Sequence, residues 1–263
     1  MPTSTTPAMP TVFVGHGSPM NALADNKYTH SLKQWAEQNQ QPKSILCISA
    51  HWQTTGTQVT SSFQPRTIHD FYGFPEELFK VQYPAPGDPP LAFQIAEMIQ
   101  QPHIALDNGE WGFDHGTWSV LKHMYPKADI PVLQMSLDVN KTPQQHFELG
   151  QKLSFLRDHG VLIIGSGNIV HNLRQIKWQA DAAAFGWAQD FDNWYKGHLK
   201  TMNFIPLIED FQSTEAGRLS VPTTEHYLPS LYILGASRPT DQSNLVYEEM
   251  QNASISMTSF SFT

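Results

Sequence analysis

Four short apolar runs do most to fix what this chain can fold into: TVFVG at 11–15, SILCISA at 44–50, PVLQMSL at 131–137 and GVLIIGSG at 160–167. Each is too short for a buried helix and lacks polar alternation, the mark of a strand covered on both faces. Helical patterns fall between them, at about 27–39, at 89–101 behind a proline, and over TPQQHFELGQKLSFLRDHG up to Gly160. The expected fold is therefore α/β, with a central mixed, mostly parallel sheet flanked by helices. The segments LVYEEM and SISMTSFSF alternate like an antiparallel hairpin at a sheet edge. No repeat or break in composition divides the chain, so one domain is expected over 10–263, behind a Ser/Thr/Pro-rich tail over 1–9 expected to be disordered.

Ligands of open α/β sheets bind beyond the carboxyl ends of the strands. Two strand runs here each end in a histidine, His16 in VFVGHG and His51 in CISAHW, so two imidazoles are expected to converge on one crevice. Imidazole suits Zn, Fe, Ni and Cu, and a carboxylate beside it suits non-haem Fe(II). His226 in TTEHYLP is a third candidate, at what reads as a helix start capped by Thr223 or Thr224, with Glu225 as a ligand or as the acceptor of an imidazole N–H. His171 in IIGSGNIVHNL is read in the first turn of a helix, as a fourth ligand or as a base. His115 follows Asp114, which either orients the imidazole or belongs to a simple turn into the next helix. The remaining histidines, His30, His103, His123, His146, His159 and His198, have no neighbours that demand more than a surface place.

The balance of 24 acidic against 16 basic residues, a net charge of −8, opposes a nucleic-acid footprint. A single cysteine, Cys47, excludes an internal disulfide and a multi-cysteine metal site, and its apolar setting reads as packing. No run is long enough to span a bilayer, and MPTSTTPAMP lacks the charge and apolar core of a secretion signal, so a cytoplasmic enzyme is expected. IIGSGN has Ile164 where a nucleophile elbow needs glycine, and no zincin, P-loop or dinucleotide fingerprint is present. The Gly-, Pro- and aromatic-rich stretch over 52–88 is long enough for a binding loop, with Phe71, Tyr72 and Phe74 either as ring contacts or as the apolar pins of a lid; Arg66, His69 or, elsewhere in the chain, Arg238 would partner a substrate carboxylate.

Taken in order, GHGSP, SAHW, HDFYGFP, YPAPG, GFDHGTW, IIGSGNIVHNL and TTEHYLPSL resemble the 4,5-DOPA extradiol dioxygenase family. That family lies among the class III extradiol ring-cleavage dioxygenases, related to the catalytic subunits of protocatechuate 4,5-dioxygenase. The likeness runs from about residue 10 onward. It implies a mononuclear non-haem metal surrounded by His16, His51, His171 and His226, with Fe(II) for catalysis and Zn(II) as commonly isolated. It implies His115 as the acid/base histidine, and His171 as a base if it is not a ligand. Relatives with two histidines and one glutamate on the metal put the glutamate where this chain offers His226 or its neighbour Glu225. The implied reaction is 4,5-cleavage of a catechol such as L-DOPA with O2, by a monomer or small homo-oligomer. The alternatives are a zinc hydrolase on the same histidines, or a non-enzymatic metal-binding interaction module of the same fold.

Overall fold

Strand faces alternate between two cores, which explains why the apolar runs are unbroken. In a computed structural model that describes residues 7–263, Phe13, Leu46, Ile48 and Ile163 enter one core while Val12, Val14, Cys47 and Ile164 enter the other. The strands are β1 (Thr11–Gly15), β2 (Ser44–Thr54), β3 (Thr57–Val59), β4 (Ile104–Leu106), β5 (Val132–Asp138), β6 (Val161–Gly167), β7 (Ser243–Tyr247), β8 (Met250–Gln251), β9 (Ile255–Ser256) and β10 (Ser259–Phe262). The helices are α1 (Lys27–Gln38), α2 (Glu76–Phe79), α3 (Pro89–Met98), α4 (His115–Met124), α5 (Pro143–Leu153), α6 (Gly186–Lys200), α7 (Ile205–Glu209), α8 (Glu215–Ser220) and α9 (Leu228–Ala236).

Among the described residues, eight strands form one sheet in the order β4-β3-β5-β2-β6-β1-β10-β7, and β8 pairs with β9 separately. The central set β5, β2, β6 and β1 is parallel, whereas β3–β5, β1–β10 and β10–β7 are antiparallel. The expected mixed, mostly parallel sheet is therefore present in a single-domain α/β fold. Helices α5, α6 and α9 cover one face; α1 and α4 cover the other. Among the described residues, no helix is long and apolar enough to cross a membrane.

Several expectations need correction. Of the tail expected over 1–9, residues 1–6 lie outside the described residues, but Met9 is buried and exchanges backbone contacts with Arg157, whose Nε donates to the Met9 carbonyl at 2.6 Å. The hairpin of β7 and β10 exists, yet only β7 is at the edge; β10 is buried against β1. His146 is fully buried rather than on the surface, because the apolar face of α5 packs on α9, where its Nδ1 meets the Tyr232 hydroxyl at 3.0 Å. Cys47 is buried, as its apolar run required.

Candidate active site

Five histidines from five separate segments meet at the carboxyl ends of the parallel strands. His16 follows β1, and its backbone N–H donates to the Gly167 carbonyl at the end of β6 (3.0 Å). On the other side of that strand end, Asn168 N–H donates to the His226 carbonyl at 2.9 Å. One strand terminus thus sets the positions of both residues. A Cβ on Gly167 would run into the His226 carbonyl, so only glycine permits this approach.

His51 arrives differently from expectation. The strand does not stop at residue 50; it continues to Thr54 with a break in register. From Ile48 to Gln53 β2 advances five residues while β5 advances two, from Met135 to Leu137. Such bulges re-aim side chains, and His51 lies in this one.

Hydrogen bonds determine which nitrogen of each ring faces the centre. The Ser166 hydroxyl donates to the Gly116 carbonyl (2.6 Å), so its oxygen is free to accept from His16 Nδ1–H (2.9 Å). His16 Nε2 is left as a bare lone pair. His51 makes no such hydrogen bond through Nδ1, but that atom lies 3.2 Å from the Asp70 carboxylate, an acceptor only, which favours the proton on Nδ1 and a bare Nε2. These two Nε2 atoms lie 3.2 Å apart. Burial, reinforced by the neighbouring imidazoles, holds His16 well below the ordinary histidine range, and burial takes His51 down to about 3. At neutral pH no proton fills the gap between the lone pairs. A divalent cation does fit, since two nitrogens at about 2.1 Å from one ion and near 100° apart are separated by about this distance.

His226 completes a near-equilateral triangle. Ring centroids are 5.0 Å apart for His16 and His51, 5.3 Å for His16 and His226, and 5.0 Å for His51 and His226. Three imidazoles bound through nitrogen to one ion at about 2.1 Å have centroids about 5 Å apart. His226 Nδ1 meets Glu225 Oε1 at 3.1 Å, so Glu225 serves as the acceptor that orients the ring, itself held by the Thr223 hydroxyl (2.8 Å). Neither threonine caps α9 through its side chain. The Thr224 carbonyl accepts from Tyr227 N–H and Leu228 N–H instead.

His171 and His115 flank the triangle. His171 is stacked on His226 with centroids 3.6 Å apart and planes 12° from parallel. Imidazole lone pairs lie in the ring plane, so two stacked rings do not aim at one ion, and a fourth-ligand role alongside His226 is at odds with this geometry. Burial lowers His171 to about 4, Glu225 opposing. The segment is not the expected helix. His171 N–H donates to the Ser220 carbonyl, Asn172 N–H to that of Ser254, and only Leu173–Gln175 make a single turn. His115 is the first residue of α4, its ring centroid 3.9 Å from that of His51. Coordination of one ion by both rings would need an angle of only about 75°, tighter than tetrahedral or octahedral geometry provides. His16, His51 and His115 nonetheless have donor atoms within 4.8 Å of one another, as do His171, Glu225 and His226.

Asp70 was not singled out from the sequence. It accepts from the His115 backbone N–H and from His115 Nδ1, both at 2.9 Å. Burial raises its pKa, but the hydrogen bonds from His115 and the charges of His115 and His51 outweigh that and hold it at about 2. Asp114, the neighbour in sequence, does not orient His115. It caps α4 through Thr117 N–H and pairs with Ser49 and Gln134, and burial lifts it to about 6.

Of the aromatic loop, Phe71 stands edge-on to His115 at 5.6 Å with Phe74 packed on it at 5.3 Å, while Tyr72 is 92% exposed and points away. Arg238 is bound to Asp158 beside the Arg157–Asp241 pair, next to the start of β6 and at the opposite end of the strands. Arg66 donates to the Glu110 carbonyl, and His69 Nε2 meets the Val81 carbonyl at 3.0 Å. Phe71 touches both His69 and His115 (5.8 and 5.6 Å), so one aromatic ring separates His69 from the histidine cluster.

Known proteins resemble this chain along nearly all of its length. A family described as the catalytic LigB subunit of aromatic ring-opening dioxygenase matches residues 4–263. The chain is 46% identical over 254 residues to 4,5-DOPA dioxygenase extradiol of Escherichia coli (strain K12), covering 95% of this chain and 93% of that one. It is 36% identical over 258 residues to the protein of the same name from Beta vulgaris, covering 96% of each. A crystal structure of an uncharacterized protein from Escherichia coli K12 superposes with a TM-score of 0.85 at 42% identity, over 97% of this chain and all of the other.

Proposed function

This chain belongs to the family of catalytic LigB subunits of aromatic ring-opening dioxygenases, and we propose that it cleaves a catechol such as L-DOPA at the 4,5 bond with O2, at a single non-haem metal. The observation that carries this reading is the pair of bare Nε2 atoms of His16 and His51, 3.2 Å apart, with His226 closing the triangle. His16, His51 and His226 would hold the metal through neutral imidazoles. Fe(II) in that position would supply Lewis-acid activation of the catechol and a redox partner for O2, whereas Zn(II) has no redox chemistry.

The remaining work falls to residues of the chain. His171, neutral because it is buried, takes the proton of a catechol hydroxyl, and Glu225 nearby favours its charged form. His115, whose Nδ1–H is held by Asp70, directs Nε2 toward the reacting oxygens and delivers a proton there once charged. Phe71 forms an apolar wall beside His115 and excludes water from that side. The reading requires only a catechol and O2 as partners, and is framed for a cytoplasmic monomer or small homo-oligomer.

The test is anaerobic loading with Fe(II), then L-DOPA and air, while O2 uptake and the visible absorption of a ring-opened semialdehyde are followed. Stoichiometric iron with no O2 uptake on any of several catechols would sink the dioxygenase reading. Turnover of an ester or amide with Zn(II) and without O2 would favour a hydrolase.

A further inference from the structure

We propose that Asp70 is a positioning residue that sets, with one carboxylate, the tautomers of both a metal ligand, His51, and the proton donor, His115. The proposal rests on the dioxygenase reading for the role of His115; the geometry stands without it. Oδ1 of Asp70 accepts the backbone N–H of His115, and Oδ2 accepts Nδ1–H of the same residue, both at 2.9 Å. The same Oδ2 lies 3.2 Å from Nδ1 of His51. Both carboxylate oxygens therefore accept from His115, which fixes its Nδ1–H tautomer and a bare Nε2. Oδ2 also stands within ion-pair reach of His51 Nδ1, off the line of a hydrogen bond, and as a pure acceptor it favours the proton on that nitrogen. The rings sit 3.9 Å apart with planes tilted by 52°, so fixing one constrains the other.

Charge alone does not explain this arrangement, because a carboxylate anywhere nearby would supply it. What matters is that every face of Asp70 accepts. An amide of the same shape has one acceptor oxygen and one NH2 group. With the oxygen toward the imidazoles, the NH2 opposes the His115 backbone N–H. With the NH2 toward the imidazoles, both rings must offer a bare Nδ1 and move hydrogen to Nε2, which blocks the lone pair that His51 presents to the metal and removes the acceptor that supports the charged, proton-delivering form of His115. Asp70→Asn is thus nearly isosteric and still incompatible with the site. Asp70→Glu retains two accepting oxygens on a longer arm and restores part of the function.

Nitrogen-15 spectra of the Zn(II)-loaded protein read the tautomers directly, through long-range couplings from ring protons. In the unsubstituted protein we expect both His51 and His115 as Nδ1–H, His51 with Nε2 on the metal. In Asp70→Asn we expect His115 to shift toward Nε2–H and Zn(II) affinity, measured by chelator competition, to fall by roughly 10–100-fold. In the Fe(II) enzyme kcat should fall with little change in KM, since the carboxylate acts through the imidazoles and not on the catechol. His115 found as Nε2–H in the unsubstituted protein overturns the proposal, and that measurement needs no variant to fold. Unchanged tautomers and Zn(II) affinity in a folded Asp70→Asn protein overturn it as well. Neither readout uses a catechol, so absence of ring cleavage would defeat the proposed reaction without touching this assignment.

Discussion

His171 lies flat on His226, ring centroids 3.6 Å apart and planes 12° from parallel. Because each lone pair stays in its own ring plane, two rings stacked this way cannot both aim at one ion, and the proposed metal would take His226 and leave His171 beside it. His226→Ala should therefore lose metal, whereas His171→Ala should keep it and lose roughly 10²-fold or more in kcat. Metal analysis of both purified variants, with O2 uptake on the iron-loaded forms, checks the division. Loss of metal from His171→Ala would place it among the ligands.

His115→Ala is expected to retain stoichiometric metal and lose turnover, since its ring centroid sits too near that of His51 for both to bind one ion. His16→Ala and His51→Ala are expected to abolish metal content. Normal turnover in the first, or stoichiometric metal in either of the others, would remove that residue from its role.

Ser166 fixes His16 by accepting from Nδ1 while donating to the Gly116 carbonyl. Ser166→Ala removes the acceptor without disturbing the strand, so the protein should bind metal roughly 10-fold or more weakly yet remain folded. Chelator competition gives the affinity and far-ultraviolet circular dichroism the fold.

Gly167→Ala should be far more damaging than an exposed Gly→Ala change. The added methyl meets the backbone carbonyl of His226, which no rotamer can move aside. A destabilisation of about 1–3 kcal/mol or more is expected for such overpacking, read from denaturant midpoints, together with weakened metal binding because His226 is displaced.

Stability of the metal-free protein should fall as pH drops below about 6.5. Burial depresses His51 to about 3 and both His146 and His171 to about 4 in the folded chain. Between those values and the unfolded value near 6.5, the unfolded chain binds more protons, so each such histidine costs about 1.4 kcal/mol per pH unit on acidification. Above pH 6.5 these groups are neutral in both states and contribute no slope. Urea midpoints at pH 7, 6 and 5 measure the effect; a flat profile would contradict it.

The strand ends were legible because β1 stops at Gly15 and β6 at Gly167, and a histidine next to such a stop has a defined direction. The position of His51 was legible but its cause was not, since a bulge leaves no mark in a run as uniformly apolar as SILCISA. Asp70 stood inside HDFYGFP, where the aromatic residues drew the reading. Its partner His115 is 45 positions away, and adjacency pointed to Asp114 instead. Asp114 was already committed to the helix it starts. His171 followed a strand and looked helical by pattern, but its backbone found tertiary partners at Ser220 and Ile255, which a local reading does not contain.

Thr11 of β1 is aligned with Phe262 of β10, and β10 fills the place beside β1 on the side away from β6. The segment bearing His16 and its second neighbour therefore lie some 250 residues apart along the chain. Contacts so distant along the chain close slowly, so the pocket beside β1 is completed late in folding, and chains truncated before residue 259 should be unable to retain an ion.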